Sequence, residues 1–359
     1  MKPNQRNYDP ITRFFLLIVS PPFQIFSISL TSILIIILAY GPVRKFYSNE
    51  PAPQLFPVTP QKVKEWGGDP ISVAVGLHIR NFSDFDFVEN KFILDAVLWF
   101  EFDPALISID TINKFSFDKA NLKKISEPYT KLIGDNFFAR YDIQLEFGMD
   151  LNYHFFPFDD HRMYITLINR FIGPNEVVFR SNVTNFTIAP AVRVSGWEIE
   201  NKSVHKGYSQ DYLDPHSNQK SVLYPKVVFS LDFRRSGVRY ILLIILPLVI
   251  IFFMGLYSFA FDPEKQAGMI SGLAIGGITS LLSYRFVMER LTPQVGYFVL
   301  SDYIFTILLA FALLEVLVGL AIVSFGKLNR FFIILRGLLF LSFHITFFGT
   351  WYYFLRQLW

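Results

Sequence analysis

The run Tyr153-His154-Phe155-Phe156-Pro157-Phe158-Asp159-Asp160-His161-Arg162 concentrates more side-chain chemistry than any other stretch of the chain. A proline between aromatic residues, followed at once by acids, describes a loop with an apolar tip beside hydrogen-bond acceptors. Such a tip packs Phe156 and Phe158 on a partner surface, and Asp159 can take a base. Arg235, just before a long apolar segment, is the candidate. The plainer reading is an ordinary tight turn with core aromatics. Asp159 and Asp160 do not make a general acid/base pair, because neighbours on a strand point to opposite faces. The chain has no glycine-rich phosphate loop ending in Lys-Ser/Thr, no His-Glu-x-x-His, no Gly-x-Ser-x-Gly and no dinucleotide fingerprint. No catalytic residue and no cofactor are expected, and the chain is not read as an enzyme. Zero cysteines exclude thiol nucleophiles and disulfides, and six scattered histidines make no metal cluster.

Whatever these residues do, they do it in a membrane. Of 359 residues 52% are hydrophobic and 18% charged, and the mean hydropathy is +0.35. The apolar excess must lie in segments that meet lipid. The 33 basic and 30 acidic residues nearly balance, so there is no basic stripe for nucleic acid. Three zones follow. Residues 1–46 hold Lys2, Arg6 and Arg13 and then the apolar stretch Phe23 to Tyr40. That stretch spans about 27 Å as a helix, one bilayer crossing. It is read as a retained anchor, with a cleaved signal peptide as the rival.

Residues 47–235 alternate with period two. Ile71, Val73, Val75, Leu77 and Ile79 form one row. Tyr141, Ile143, Leu145, Phe147, Met149 and Leu151 form another, followed by Met163, Ile165 and Leu167, and then Val227, Phe229, Leu231 and Phe233. Strands without intervening helices predict an antiparallel β-sandwich. Residues 236–359 are almost wholly apolar and divide into spans at about 238–261, 267–288, 296–325 and 328–356. Short links make them antiparallel neighbours, a four-helix bundle. Lys2, Arg6, Arg13, Lys327 and Arg330 place the N-terminus and the last link in the cytoplasm and the β-domain outside.

The order of these features resembles the pentameric ligand-gated ion channels of the Cys-loop receptor superfamily, specifically the bacterial type that lacks the loop cysteines. Phe156-Pro157-Phe158-Asp159 is similar to their hallmark loop, and Gly196-Trp197-Glu198-Ile199 to a late outer-domain strand. Arg235 with Pro247 resembles the pre-helix arginine and first-helix proline. Pro293-Gln294-Val295-Gly296-Tyr297, Ser301-Asp302 and Leu314-Glu315 resemble the loop between the second and third helices and the third helix itself. The resemblance implies a homopentamer in the bilayer, in the bacterial inner membrane with the β-domain in the periplasm. It implies a pore lined by the second bundle helix, passing monovalent cations and opened by a small-molecule ligand or protons at the β-domain. Coupling falls to Phe158, Asp159, Arg235 and Pro293. Ligand binding, at a site between subunits, falls to Arg170, Phe171, Tyr208 and Tyr212, the last two on a polar loop from His205 to Ser221, where aromatics with a charge suit a cationic or amino-acid-like ligand. The extra span at 23–40 and the missing Trp-x-Pro element depart from the family.

Counted from Glu264 as the inner-mouth acid, Gly268, Gly272, Ile275, Thr279, Leu282 and Phe286 fall on one helical stripe. On this reading Ile275 forms an apolar ring that blocks hydrated ions, and Glu264 a charged ring favouring cations. Gly268, Gly272 and Gly276 equally fit close helix packing. A non-conducting receptor or assembly module, binding a protein or envelope component through the β-domain, therefore stays open. Glu315, Arg336 and His344 lie inside spans and are expected to pair between helices. Arg285 is expected to reach the interface or the β-domain.

Overall fold

The computed structural model describes residues 9–87, 89–213, 221–235, 239–325 and 330–357. They form two compact units. Ser48–Asn152 and Asp160–Ser236 make a β-unit, while Met1–Tyr47, Tyr153–Asp159 and Gly237–Trp359 make a helical unit. In chain order the helices are α1 (Pro10–Ile18), α2 (Pro21–Arg44), α3 (Pro60–Glu65), α4 (Ile109–Ile112), α5 (Arg239–Leu256), α6 (Pro263–Leu291), α7 (Leu300–Phe325) and α8 (Arg330–Arg356). The strands are β1 (Ile71–Asp86), β2 (Lys91–Phe102), β3 (Ser116–Asp118), β4 (Ala120–Ile125), β5 (Tyr129–Ile133), β6 (Asn136–Phe147), β7 (His161–Ile168), β8 (Val177–Arg180), β9 (Phe186–Ile188), β10 (Trp197–Tyr212) and β11 (Ser221–Arg235).

The β-unit has a seven-stranded sheet, β4-β6-β2-β1-β8 with β5 on β6 and β9 on β1, and a four-stranded sheet, β10-β11-β7-β3. The alternating rows of β1, β6, β7 and β11 point inward from both sheets into one core, because a period of two puts every apolar side chain of a row on one face. Pairing is not purely antiparallel as expected: β8 and β9 run parallel to β1. The chain crosses from β7 in one sheet to β8 in the other, and a crossover, unlike a hairpin, can return a strand in the same direction. The row expected to reach Leu151 stops at Phe147. There the Asn90 side chain accepts from the Met149 N–H at 2.9 Å and donates to its carbonyl at 2.7 Å, replacing the ladder. Residues 205–212, expected in a loop, continue β10 and pair with β11; residues 214–220 lie outside the described residues. As an edge strand β10 pairs with β11 along its length, has the Phe56 bridge on its other side, and keeps a wetted face, so its composition is polar like that of a loop. Phe56 exchanges backbone bonds of 2.8 and 2.9 Å with Tyr208. This close approach requires Gly207 beside it, where a Cβ would collide with the Phe56 carbonyl.

Among the described residues, five helices of the other unit are long and apolar enough to cross a membrane: Pro21–Gly41, Ile241–Ala260, Lys265–Leu291, Leu300–Ala321 and Arg330–Arg356. The chain is thus a membrane protein with a β-sheet unit. Lys2, Arg6 and Lys327 lie outside the described residues. Helices α5, α6 and α7 pack on one another, α8 packs on α7, and α1 and α2 pack on α8. The α1 helix was not expected; it starts on Pro10 and ends before the Pro21-Pro22 break, prolines being favoured in a first turn. The α6 helix kinks at Gln266 (φ −131°, ψ 30°), next to the expected span start.

Glu315 does not pair with Arg336. Glu315 accepts from Ser258 Oγ at 3.0 Å, and Arg336 reaches the Phe261 carbonyl at 3.5 Å and lies over the Phe259 ring. Both are held by the segment that follows α5. His344 bonds Thr31 at 3.0 Å. The α5–α6 crossing is tight because a Cβ on Gly277 would stand 3.4 Å from Gly255 Cα, and one on Gly255 would stand 3.0 Å from Glu315 Oε2. Gly255→Leu is therefore expected to cost about 1–3 kcal/mol through overpacking, read as a lower melting temperature in detergent. Gly272→Leu, at a site with no neighbour within 4 Å of a Cβ, should leave it unchanged.

Candidate functional site

The stripe on α6 is the face that the helix leaves uncovered within one chain. Ile270, Ala274, Leu281 and Met288 are buried against the neighbouring helices. Gly268, Gly272 and Thr279 are exposed, Ile275 and Leu282 are each 48% exposed, and Phe286 is 71% exposed. Gly268, Gly272 and Gly276 meet nothing within 4 Å of a Cβ, so none of them serves packing inside this chain. Thr279 Oγ1 donates to the Ile275 carbonyl and Ser283 Oγ to the Thr279 carbonyl, both at 2.8 Å. Their oxygens keep lone pairs for water or a neighbour. Glu264 lies in the first turn of α6, and its side chain is outside the described residues.

The Pro loop belongs to the helical unit and caps α7. Its His154 and Phe156 carbonyls accept the Leu300 N–H at 2.9 Å and the Ser301 N–H at 3.2 Å. These are donors that a helix start cannot satisfy by itself. The Tyr153 N–H donates to Tyr297 Oη at 3.0 Å, and the Phe158 ring meets Trp351 edge-on at 5.8 Å. Pro293 and Asp159 are buried. Asp302, in the first turn of α7, accepts the Val299 N–H at 3.1 Å and holds Arg285 at 2.5 Å. Arg285 is thus paired within the helical unit, where an acid at a helix N-terminus offsets its charge.

Within the β-unit, Arg235 sits where the chain leaves the sheet. Its N–H donates to Asp160 Oδ1 at 3.1 Å and its guanidinium covers Trp197 at 4.3 Å. Trp197 packs on Phe87 and His161, and His161 Nδ1 lies 2.7 Å from Glu50 Oε1. The sequence reading missed this cluster, whose partners are scattered along the chain with no local motif. Burial would raise the Glu50 carboxyl, but the bonds from His161, Ser48 and the Arg162 N–H outweigh it and hold the group below its ordinary 4.5.

The four residues expected at a ligand site do not converge. Tyr208 is packed against Phe56 and Trp66. Tyr212 is exposed, and Phe171 is exposed with Lys114 over its ring at 5.5 Å. Only Arg170 lines the cavity of about 420 Å³ on the outward face of the small sheet. That cavity is also lined by Lys226, Asp118, Tyr224 and Arg162. Strand periodicity pointed to it: Arg162, Tyr164 and Thr166 alternate with the core row of β7, as Tyr224 and Lys226 precede that of β11. No group of acids and histidines able to hold a metal occurs among the described residues. No family model matches the chain, and no curated protein matches it in sequence.

A carboxyl held low contributes stability that is complete above its unfolded value of 4.5 and lost as the pH falls through its folded value. Acid melts of the wild type should therefore lose stability below about pH 4.5, and Glu50→Gln should flatten that limb while lowering stability at pH 7.

Proposed function

We propose that the chain is a subunit of a homopentameric, ligand-gated, cation-conducting channel in the bacterial inner membrane. The β-unit lies in the periplasm and the stripe of α6 lines the pore. The observation that carries this reading is the uncovered face of α6. A 29-residue helix buries one side on its neighbours and leaves glycines, Thr279, Ile275 and Leu282 to something outside the chain. An axis shared by five copies would turn that face to water and make Ile275 a dewetting ring. The ion pair of Asp9 with Arg330 at 3.0 Å supports a common side for the N-terminus and the start of α8, as the cytoplasmic placing of both requires. In this reading α2 is an added anchor, and α5 to α8 form the bundle.

Ligand binding in the β-unit shifts a closed–open equilibrium by no more than the ligand's preference for one state. Phe158, Asp159, Arg235 and Pro293 carry the shift to the pore. If they do, Asp159→Ala and Arg235→Ala couple in a double-mutant cycle on the gating equilibrium by about 0.5–3 kcal/mol. Strict additivity contradicts the pathway. The open space beside Gly268, Gly272 and Gly276 favours a second reading, a bundle whose copies pack backbone to backbone and do not conduct. Purified protein in planar bilayers separates the two. The channel reading expects current, larger in Ile275→Ser than in wild type, with a cation-selective reversal potential that weakens in Glu264→Gln. A pentamer silent in both forms supports the packed module.

A further inference from the structure

The cavity of the β-unit holds a buried cation with no short acceptor. The Lys226 side chain is 4% exposed, and its nearest carboxylate among the described residues is Asp118, at 3.8 Å, beyond hydrogen-bond range. Arg170 reaches the same carboxylate at 3.6 Å. Two cations thus share one distant acid, with the Asp211 carboxylate as a further negative charge felt by Lys226. The other charges on the wall are engaged. Arg162 holds Asp232 through bonds of 2.6 and 3.0 Å, Lys119 holds Asp150 at 2.6 Å, and Asp211 accepts from Tyr224 Oη at 2.8 Å. Glu50 is taken by His161. Burial, only partly offset by Asp118 and Asp211, pushes the Lys226 ammonium below its ordinary value. An anion brought beside it would relieve that penalty.

We propose that this cavity binds a small monocarboxylate, which bridges Lys226 and Arg170 in place of their long contacts to Asp118 and lays its apolar part toward Phe147 and the Tyr224 ring. With Asp118 and Asp211 also on the wall, a single added negative charge is repelled less than a dianionic phosphate, and the Lys226 ammonium and Arg170 guanidinium can each donate to one carboxylate oxygen, which an amine does not offer. The cavity lies within a single chain, walled on one side by the segment 50–54. The assignment rests on reading the β-unit as the ligand-binding part of a channel, and names the chemistry of the ligand.

The test uses the full chain in lipid nanodiscs at fixed ionic strength. Sodium propionate, sodium phosphate and propylammonium chloride serve as probes, with binding read by calorimetry and by thermal shift. Propionate should bind the wild type, and Lys226→Met and Arg170→Gln should each weaken it at least about tenfold, as loss of a charge-assisted bond does. Lys226→Met should melt no lower than wild type, since a buried ammonium gives way to an apolar chain of similar length. Asp118→Asn removes the internal competitor and should tighten propionate several-fold, which a merely structural role would not do. The proposal is overturned if propionate fails to bind, if Lys226→Met binds it as wild type does, or if phosphate or propylammonium binds more tightly. Binding is read without current. Propionate bound by a silent protein therefore sinks the channel and keeps the site, and a conducting protein indifferent to propionate does the reverse.

Discussion

The buried bond between the Glu50 carboxylate and the His161 imidazole ties the first residues of the β-unit to the start of β7. The backbone enters the β-unit after Tyr47, leaves it at Tyr153, returns at Asp160 and leaves again at Ser236. Glu50, Asp160, His161 and Arg235 each stand within a few residues of a passage. Glu50 binds His161 and the Arg162 N–H, and Asp160 binds the Arg235 N–H. Three of the four passages are thus tied by hydrogen bonds at one end of the sheets. Removing one partner of a buried hydrogen-bonded pair costs about 1–3 kcal/mol, because the other is left unsatisfied. The Pro loop, α2 and α5 are all joined covalently to this knot.

Much of this arrangement follows from periodicity. The inward rows of β1, β7 and β11 were legible because each buries one face, and the five long apolar helices because charged punctuation separates them. The parts that were not legible failed for identifiable reasons. The β2 strand is central and carries Ile93, Val97 and Trp99 among its outward positions beside Asp95 and Glu101, so the hydropathy of Phe92 to Phe102 shows little alternation. The β10 strand is polar because it is an edge. Asn90 ends β6 from across a turn, and no local pattern announces a side chain that replaces a ladder bond.

The candidate sites divide the same way. Helical spacing alone was enough to put Gly268, Ile275, Thr279 and Phe286 on one face, since it needs no tertiary information. The scattered ligand residues did not assemble, because Tyr208 was taken for a loop residue when it is a strand residue packed under the segment before α3. Lys226 carried a signal that was overlooked: a lysine one position outside the core row of a strongly apolar strand must find either water or a counter-charge. The structure gives it a cavity.

The proposed channel depends on α6 turning its uncovered face to water in the assembled membrane protein. Because the chain contains no cysteine, single cysteines along α6 can be read against a silent background. The direct measurement is modification by a charged, membrane-impermeant thiol reagent in reconstituted liposomes, with the chain folded and its oligomer intact. Modification should be fast at 268, 272, 275, 279 and 282, with protection at 270, 274, 281 and 288. Protection along the first series as complete as along the second would contradict the proposed channel.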